Sequence, residues 1–247
     1  MDRIIYTAMT GAKQALARQD TLAHNLANAN TVGFRASLTA FRAVPVRGVG
    51  EGTRVFSLES TPGVDLSAGP VQQTGRELDV SLSEGGLLAV EGRDGREAYT
   101  RAGSLQVDAE GMLRTNTGLL VIGDGGPITI PPESRIAIGD DGTISVSPLT
   151  GAQETTTIVG RLKLVKADAA DIVKGDDGLL RTLSGEPLPL DETVRVMTGT
   201  LEGSNVNVVD AMIGMIAAAR QFDMQMRVLQ KADEDARTAQ QLLNVNG

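Results

Sequence analysis

Residues 207–243 read NVVDAMIGMIAAARQFDMQMRVLQKADEDARTAQQLL, and they decide the architecture. The stretch holds no Pro and a single Gly, Gly214, so little in it interrupts a helix. Asn207 suits an N-cap, and Asp210 follows three residues later, near the positive end of the helix dipole. Read in alternating steps of three and four, the seam is Met212, Met215, Ala219, Phe222, Met226, Leu229, Asp233, Ala236, Gln240 and Leu243, and eight of these ten are apolar. Such a helix reaches roughly 55 Å at 1.5 Å per residue. That exceeds what a compact domain needs, so the helix projects and its seam requires a partner. Met212, Met215, Met224 and Met226 give that surface adaptable contacts.

The other end of the chain supplies a matching element. From Asp2 to about Asn28 there is no Pro and one Gly, and Ala is frequent. Ile5, Ala12, Gln19 and Leu26 share one heptad position, and Ala8, Ala15 and Leu22 lie three residues on. Met9, Leu16 and Ala23 widen the stripe. A seam of such small residues favours close helix packing, and a lone helix of this kind is marginal in water.

Between the helices the character changes. Residues 43–75 hold Pro45, Gly48, Gly50, Gly52, Pro62, Gly63, Gly69 and Pro70, which predicts an extended segment with a short strand around Thr53 to Leu58. From about Glu77 short apolar or alternating runs predict strands at Leu78–Leu82, Leu87–Glu91, Leu105–Asp108, Leu119–Ile122, Ile128–Ile130, Arg135–Ile138, Thr143–Val146, Ile158–Ala167 and Val194–Thr200. Asp94-Gly95, Glu110-Gly111, Gly125-Gly126, Asp141-Gly142 and Asp177-Gly178 punctuate them as turns.

Composition narrows the function. The net charge is −8. Residues 1–42 carry five bases against two acids, and residues 204–247 four against five, so the acidity sits in the middle. An acidic body without a basic stripe argues against nucleic acid. There is no cysteine, which excludes disulfides, thiolate nucleophiles and Cys-type zinc sites. His24, the single histidine, lies among Ala and Asn and reads as a surface or interface residue, not a catalytic base. The quartets Gly139–Gly142 and Gly175–Gly178, each Gly-Asp-Asp-Gly, lack the spacing of a calcium loop and read as turns. No cofactor, metal or catalytic site is expected. Met1 to Gln14 has no apolar core of signal-peptide type, and the run Ala211 to Ala219 is far short of the ~20 residues that span a membrane.

Two terminal motifs carry a resemblance. Asn25-Leu26-Ala27-Asn28-Ala29-Asn30-Thr31-Val32-Gly33-Phe34-Arg35 resembles the signature that ends the first helix of bacterial flagellar rod and hook proteins. Its Asn and Thr side chains suit a helix end and a turn, Gly33 permits an unusual backbone conformation, and Phe34 suits an apolar anchor. Leu201-Glu202-Gly203-Ser204-Asn205-Val206-Asn207, ahead of the long helix, is similar to the second signature of that family. Phe41–Pro45, Tyr99–Ser104, Val121–Gly123, Val159–Lys166 and Phe222–Met226 resemble proximal-rod members. Distal-rod members are less similar at Arg161–Lys166 and Met224–Met226.

The resemblance implies a non-enzymatic subunit of the basal-body rod, the periplasmic shaft that transmits motor torque. It implies export by the flagellar type III apparatus without a cleaved signal. The implied partners are copies of the chain itself, FlgC-like neighbours on the proximal side and FlgG-like neighbours on the distal side, with no nucleic acid and no membrane insertion.

The expected fold is α+β: paired, coiled-coil-like terminal helices flank a central antiparallel all-β domain, with an extended linker. The expected segments are 1–36 (first helix), 37–76 (linker with short strands), 77–203 (β domain) and 204–247 (long helix). The expected assembly interface comprises Ile5, Leu16, Leu22 and Leu26 on the first helix. Asn25, Asn28, Thr31, Gly33 and Phe34 join it at the first signature. Met212, Met215, Ala219, Phe222, Met226, Leu229 and Leu243 join it on the last helix. The alternatives are a distal-rod subunit of the same shaft and a β-domain binding module with a helical dimerisation stalk.

Overall fold

A computed structural model describes residues 2–45, 55–59, 63–148 and 156–244, with side chains described at these except 2–4, 43, 45, 55–59 and 242–244. The fold is α+β, with one helix near each end of the chain and antiparallel strands between them. The chain divides into two compact units. One comprises Met1–Ala27, Leu38–Pro62 and Asn207–Gly247, and the other Asn28–Ser37 and Gly63–Val206. The stretch read as a linker is therefore shared between them.

The helical unit is built on α1 (Asp2–Ala27) and α2 (Val208–Asn244). A β-carbon at Gly11 would meet the Gln225 side chain, and one at Gly214 would meet Leu22. Early α1 thus faces late α2, and the helices run antiparallel. The buried face of α1 is Ala8, Ala12 and Ala15, and that of α2 is centred on Ala211 and Ala218. Small side chains on both partners allow the backbones to approach closely. Asn207 caps α2: its Oδ1 accepts from the N–H groups of Val209 at 3.0 Å and Asp210 at 3.3 Å.

The seam differs in phase from the sequence expectation. Met215, Phe222 and Leu229 lie half-buried on it, but Ala211, Ala218 and Gln225 occupy the turns expected for Met212, Ala219 and Met226, which are exposed. The α1 surface is an Ala ridge, and the face of α2 set against it runs through Ala211, Met215, Ala218, Phe222, Gln225 and Leu229. The positions one residue on from Ala211, Ala218 and Gln225 lie outside. Met9, Leu16 and Ala23 of α1 are likewise exposed.

A hairpin completes this unit. Phe41–Pro45 pairs antiparallel with Val55–Glu59, from Phe41↔Glu59 to Pro45↔Val55. The second strand runs along α1. Residues 53 and 54 of the strand expected there lie outside the described residues.

In the β unit a five-stranded antiparallel sheet has the order Leu164–Lys166, Gly86–Glu91, Glu97–Thr100, Leu180–Thr182, Ile172–Lys174. Leu88 and Val90 enter one apolar cluster, while Leu87 and Ala89 enter a second. The strand is buried on both faces, which is why its sequence is continuously apolar and does not alternate. Ser134–Ile138, Thr143–Pro148 and Thr157–Arg161 form a three-stranded sheet. All five Gly-containing turns read from the sequence connect antiparallel partners, and Gly95, Gly111, Gly126, Gly142 and Gly178 all have positive φ.

Two expected strands are broken. Ile158–Ala167 divides into Thr157–Arg161 and Leu164–Lys166, which belong to different sheets, because Leu162 turns into the core and its N–H bonds to the Gly142 carbonyl. Val194–Thr200 yields Val196–Thr198 and Thr200–Glu202, separated by Gly199 at φ 71°.

Candidate assembly surfaces and the motif junction

Each terminal helix carries two apolar faces, and only one is used within the helical unit. On α2 the second face runs through Val209, Met212, Ile213 and Ile216, with Ile213 60% and Ile216 56% exposed. Ile213, Ile216, Ala217 and Arg220 line a shallow concavity there. On α1 the second face is Tyr6, Met9 and Leu16 at helical spacing, all exposed. Large apolar side chains recurring on an exposed helical face mark a surface that meets another protein. Beyond Leu229 the outer surface becomes charged, with Lys231 pairing to Glu234 and Asp235 and Arg237 to Asp233.

The β unit holds the second feature. Glu202 is 1% exposed, yet it is ionisable and sits between two arginines. Its Oε1 accepts from Arg35 Nη2 at 2.5 Å and from the Gly69 N–H at 2.8 Å. Its Oε2 accepts from Arg101 Nε at 2.7 Å and lies 2.5 Å from Arg101 Nη2 in an ion pair. The backbone carbonyl of Glu202 accepts from the Gly33 N–H at 2.8 Å. Arg101 extends the network by donating to the carbonyls of Leu82, Ser83 and Gly86. The three charged groups come from the first signature, the Tyr99–Ser104 run and the second signature. Removing one member of a buried, hydrogen-bonded charge cluster typically costs about 3–5 kcal/mol, because an unpaired charge stays behind. Burial lowers the Arg35 pKa, and the Glu202 charge opposes that shift.

Asn205 performs a parallel task with a neutral amide. Its Oδ1 accepts from the Ala36 N–H at 2.8 Å, and its Nδ2 donates to the carbonyls of Asp65 at 2.9 Å and Ser67 at 3.1 Å. Phe34 is buried, and the Lys174 ammonium lies 3.5 Å from its ring centroid. Lys174 Nζ also donates to the Arg35 carbonyl at 2.7 Å. Burial lowers the Lys174 pKa to about 8, while the ring face and the carbonyl favour the cation. Gly33 has φ 69°, and a β-carbon there would lie 2.3 Å from the Ala102 nitrogen, so both backbone and space demand glycine.

The expected interface residues therefore fall into distinct settings. Ile5, Leu22, Leu26, Met215, Phe222 and Leu229 are half-buried in the helical unit, and Asn25 is buried there. Leu16, Met212, Ala219 and Met226 are exposed on it. The Leu243 side chain lies outside the described ones. Gly33 and Phe34 are buried inside the β unit, where Asn28 is half-buried and Thr31 exposed. The Asn28 carbonyl accepts from the Thr31 N–H, and the Thr31 carbonyl from the Phe34 N–H. Gly33 and Phe34 thus pack against the subunit's own chain.

Sequence reasoning missed Arg35, Arg101, Glu202, Asn205 and Lys174. The available signal was charge within segments otherwise small, apolar or amide-bearing. The signatures are legible for their turns, Gly33 and Phe34, whereas their ions carry no local pattern that sets them apart from solvated charges. Both Gly-Asp-Asp-Gly quartets are hairpin turns, closed by Gly142 N–H to Gly139 O and Gly178 N–H to Gly175 O, each at 3.0 Å. Among the described residues, no group of three or more His, Asp or Glu side chains is placed to hold a metal ion, and no helix is long and apolar enough to cross a membrane.

A β unit tied to its chain ends and a helical unit with unpartnered apolar faces define an assembly component. Comparison with known proteins agrees. Residues 5–35 match the family model described as "Flagella basal body rod protein", residues 83–146 the "Flagellar hook protein FlgE/F/G D1 domain", and residues 197–242 the "Flagellar basal body rod FlgEFG protein C-terminal". Over 252 residues and the whole of both chains, the sequence is 50% identical to the flagellar basal-body rod protein FlgF of Escherichia coli K12. It is 49% identical to FlgF of Salmonella typhimurium LT2, again over the whole of both chains. Against the rod protein FlgG of Bacillus subtilis 168 it is 31% identical, covering 99% of each chain. The chain belongs to the flagellar basal-body rod protein family.

Proposed function

We propose that this protein is a structural subunit of the flagellar basal-body rod, of the FlgF type. It polymerises through its terminal helices into the shaft that carries motor torque in the periplasm. The observation that carries the polymerisation reading is the second apolar face on each helix: Tyr6, Met9 and Leu16 on α1, and Val209, Met212, Ile213 and Ile216 on α2. A single antiparallel pair leaves these faces in water, and a helical array of subunits covers them. Full-length identity of 50% to an FlgF against 31% to an FlgG favours the proximal-rod role over the distal one. The partners are then other rod subunits, FlgC-like on the proximal side and FlgG-like on the distal side, together with copies of this chain. The subunit reaches the rod through the flagellar type III export apparatus and has no enzymatic activity of its own.

The test is complementation. A motile bacterium lacking its own FlgF should regain complete rods and swimming when this chain is expressed. A purified chain that sediments only as a discrete closed dimer, and that leaves the deletion strain non-motile, would favour the dimerisation-stalk alternative.

A further inference from the structure

We infer that Glu202 is a positioning residue, whose buried carboxylate sets the places from which the chain leaves the β unit. The chain passes between the two units four times, at 27/28, 37/38, 62/63 and 206/207. The β-unit segments that carry all four passages meet at Glu202 and Asn205. Segment 28–37 is held by the Gly33 N–H on the Glu202 carbonyl, by Arg35 on Oε1 and by the Ala36 N–H on Asn205. The segment beginning at Gly63 is held by the Gly69 N–H on Oε1 and by the Asp65 and Ser67 carbonyls on Asn205. The third segment contains Glu202 and Asn205 themselves.

The carboxylate is specifically required. Oε1 bridges two of the exit segments, and Oε2 anchors the pair to Arg101, whose remaining donors go to the Leu82, Ser83 and Gly86 carbonyls of the sheet region. Arg35 Nε has no hydrogen-bond partner, so the Arg35 head is held by Glu202 and the Phe34 carbonyl. An amide at 202 keeps one acceptor oxygen but turns an NH₂ group toward a guanidinium, where donor faces donor. The inference stands on the β unit alone, so its failure would leave the assembly reading untouched.

Hydrogen–deuterium exchange on the full chain tests it. In Glu202→Gln the amides of Gly33, Ala36 and Gly69 should accelerate at least about tenfold more than the sheet amide of Ala89, which is bonded to the Lys163 carbonyl and reports the loss of global stability. Equal acceleration at Ala89 would make Glu202 an ordinary stability residue and overturn the inference, as would unchanged protection of all three amides. Should Glu202→Gln not fold, Glu202→Asp decides. It keeps the charge but is one methylene too short to reach both arginines and Gly69, so the same local pattern is expected. Wild-type protection in Glu202→Asp, or failure of both variants to fold, would contradict the assignment.

Discussion

Ile216 and Ala218 lie two residues apart on α2 and face opposite ways, so aspartate at each separates folding from assembly. Ala218 is 1% exposed against α1. A carboxylate there is desolvated without a partner, which costs the helical pair more than about 3 kcal/mol. Ile216 is 56% exposed. Complete burial of an Ile side chain stabilises by about 1.5–3 kcal/mol, so its partial burial contributes about 1 kcal/mol in the free subunit. The remaining half becomes available only against a neighbour, where a buried carboxylate adds a desolvation penalty. A combined loss of about 3 kcal/mol per contact weakens subunit association more than 100-fold. Circular dichroism melts of the purified chain read the first quantity, and electron microscopy of basal bodies reads the second. Ala218→Asp should lose helical signal, whereas Ile216→Asp should melt close to wild type yet fail to complete rods. Normal rods in Ile216→Asp cells, or a wild-type melt for Ala218→Asp, would refute the division of α2 into an inner and an outer face.

Other positions give independent tests. Gly33→Ala forces a side chain into the left-handed region and against the Arg101–Ala102 backbone, and it should destabilise the β unit by roughly 2–4 kcal/mol in thermal unfolding. Asn207→Ala removes the acceptor for two N–H groups at the start of α2 and should cost about 1 kcal/mol of helix stability, read by circular dichroism. Lys174 has its folded pKa lowered to about 8 from the model-peptide value of 10.5, so the folded state binds fewer protons between these values. The stability of the wild type relative to Lys174→Met should therefore rise as pH increases from about 8 to 10.5, and urea titrations of both at several pH values measure it. A flat difference would mean that the Phe34 ring restores the cation.

Much of the architecture was legible because local chemistry and tertiary structure agree. The uninterrupted run after Asn207 became a 37-residue helix with the expected cap, and each Gly-containing turn joined two antiparallel strands. Less was legible where partners are distant in sequence. The α2 seam is displaced at Met212, Ala219 and Met226 because its phase is set by the face that meets α1, about two hundred residues earlier, and not by the local apolar pattern. The strands Glu97–Thr100 and Leu180–Thr182 carry charges that mask their period, and their pairing is fixed by Tyr99 opposite Leu180. The Arg35–Glu202–Arg101 cluster was hidden for the same reason. Each ion alone resembles a solvated charge, and only the fold brings residues 35, 101 and 202 together. Phe34 was expected in an apolar pocket, and its ring also supports a lysine.

The chain's lack of cysteine permits the most direct test of assembly through the outer helical faces. A single cysteine at Ile216 or at Ala218 can be probed with a maleimide in the purified subunit and again in isolated rods. Ile216→Cys should react readily in the free chain and become protected in rods, while Ala218→Cys stays protected in both. Equal reactivity of Ile216→Cys in free subunit and rod would contradict the account.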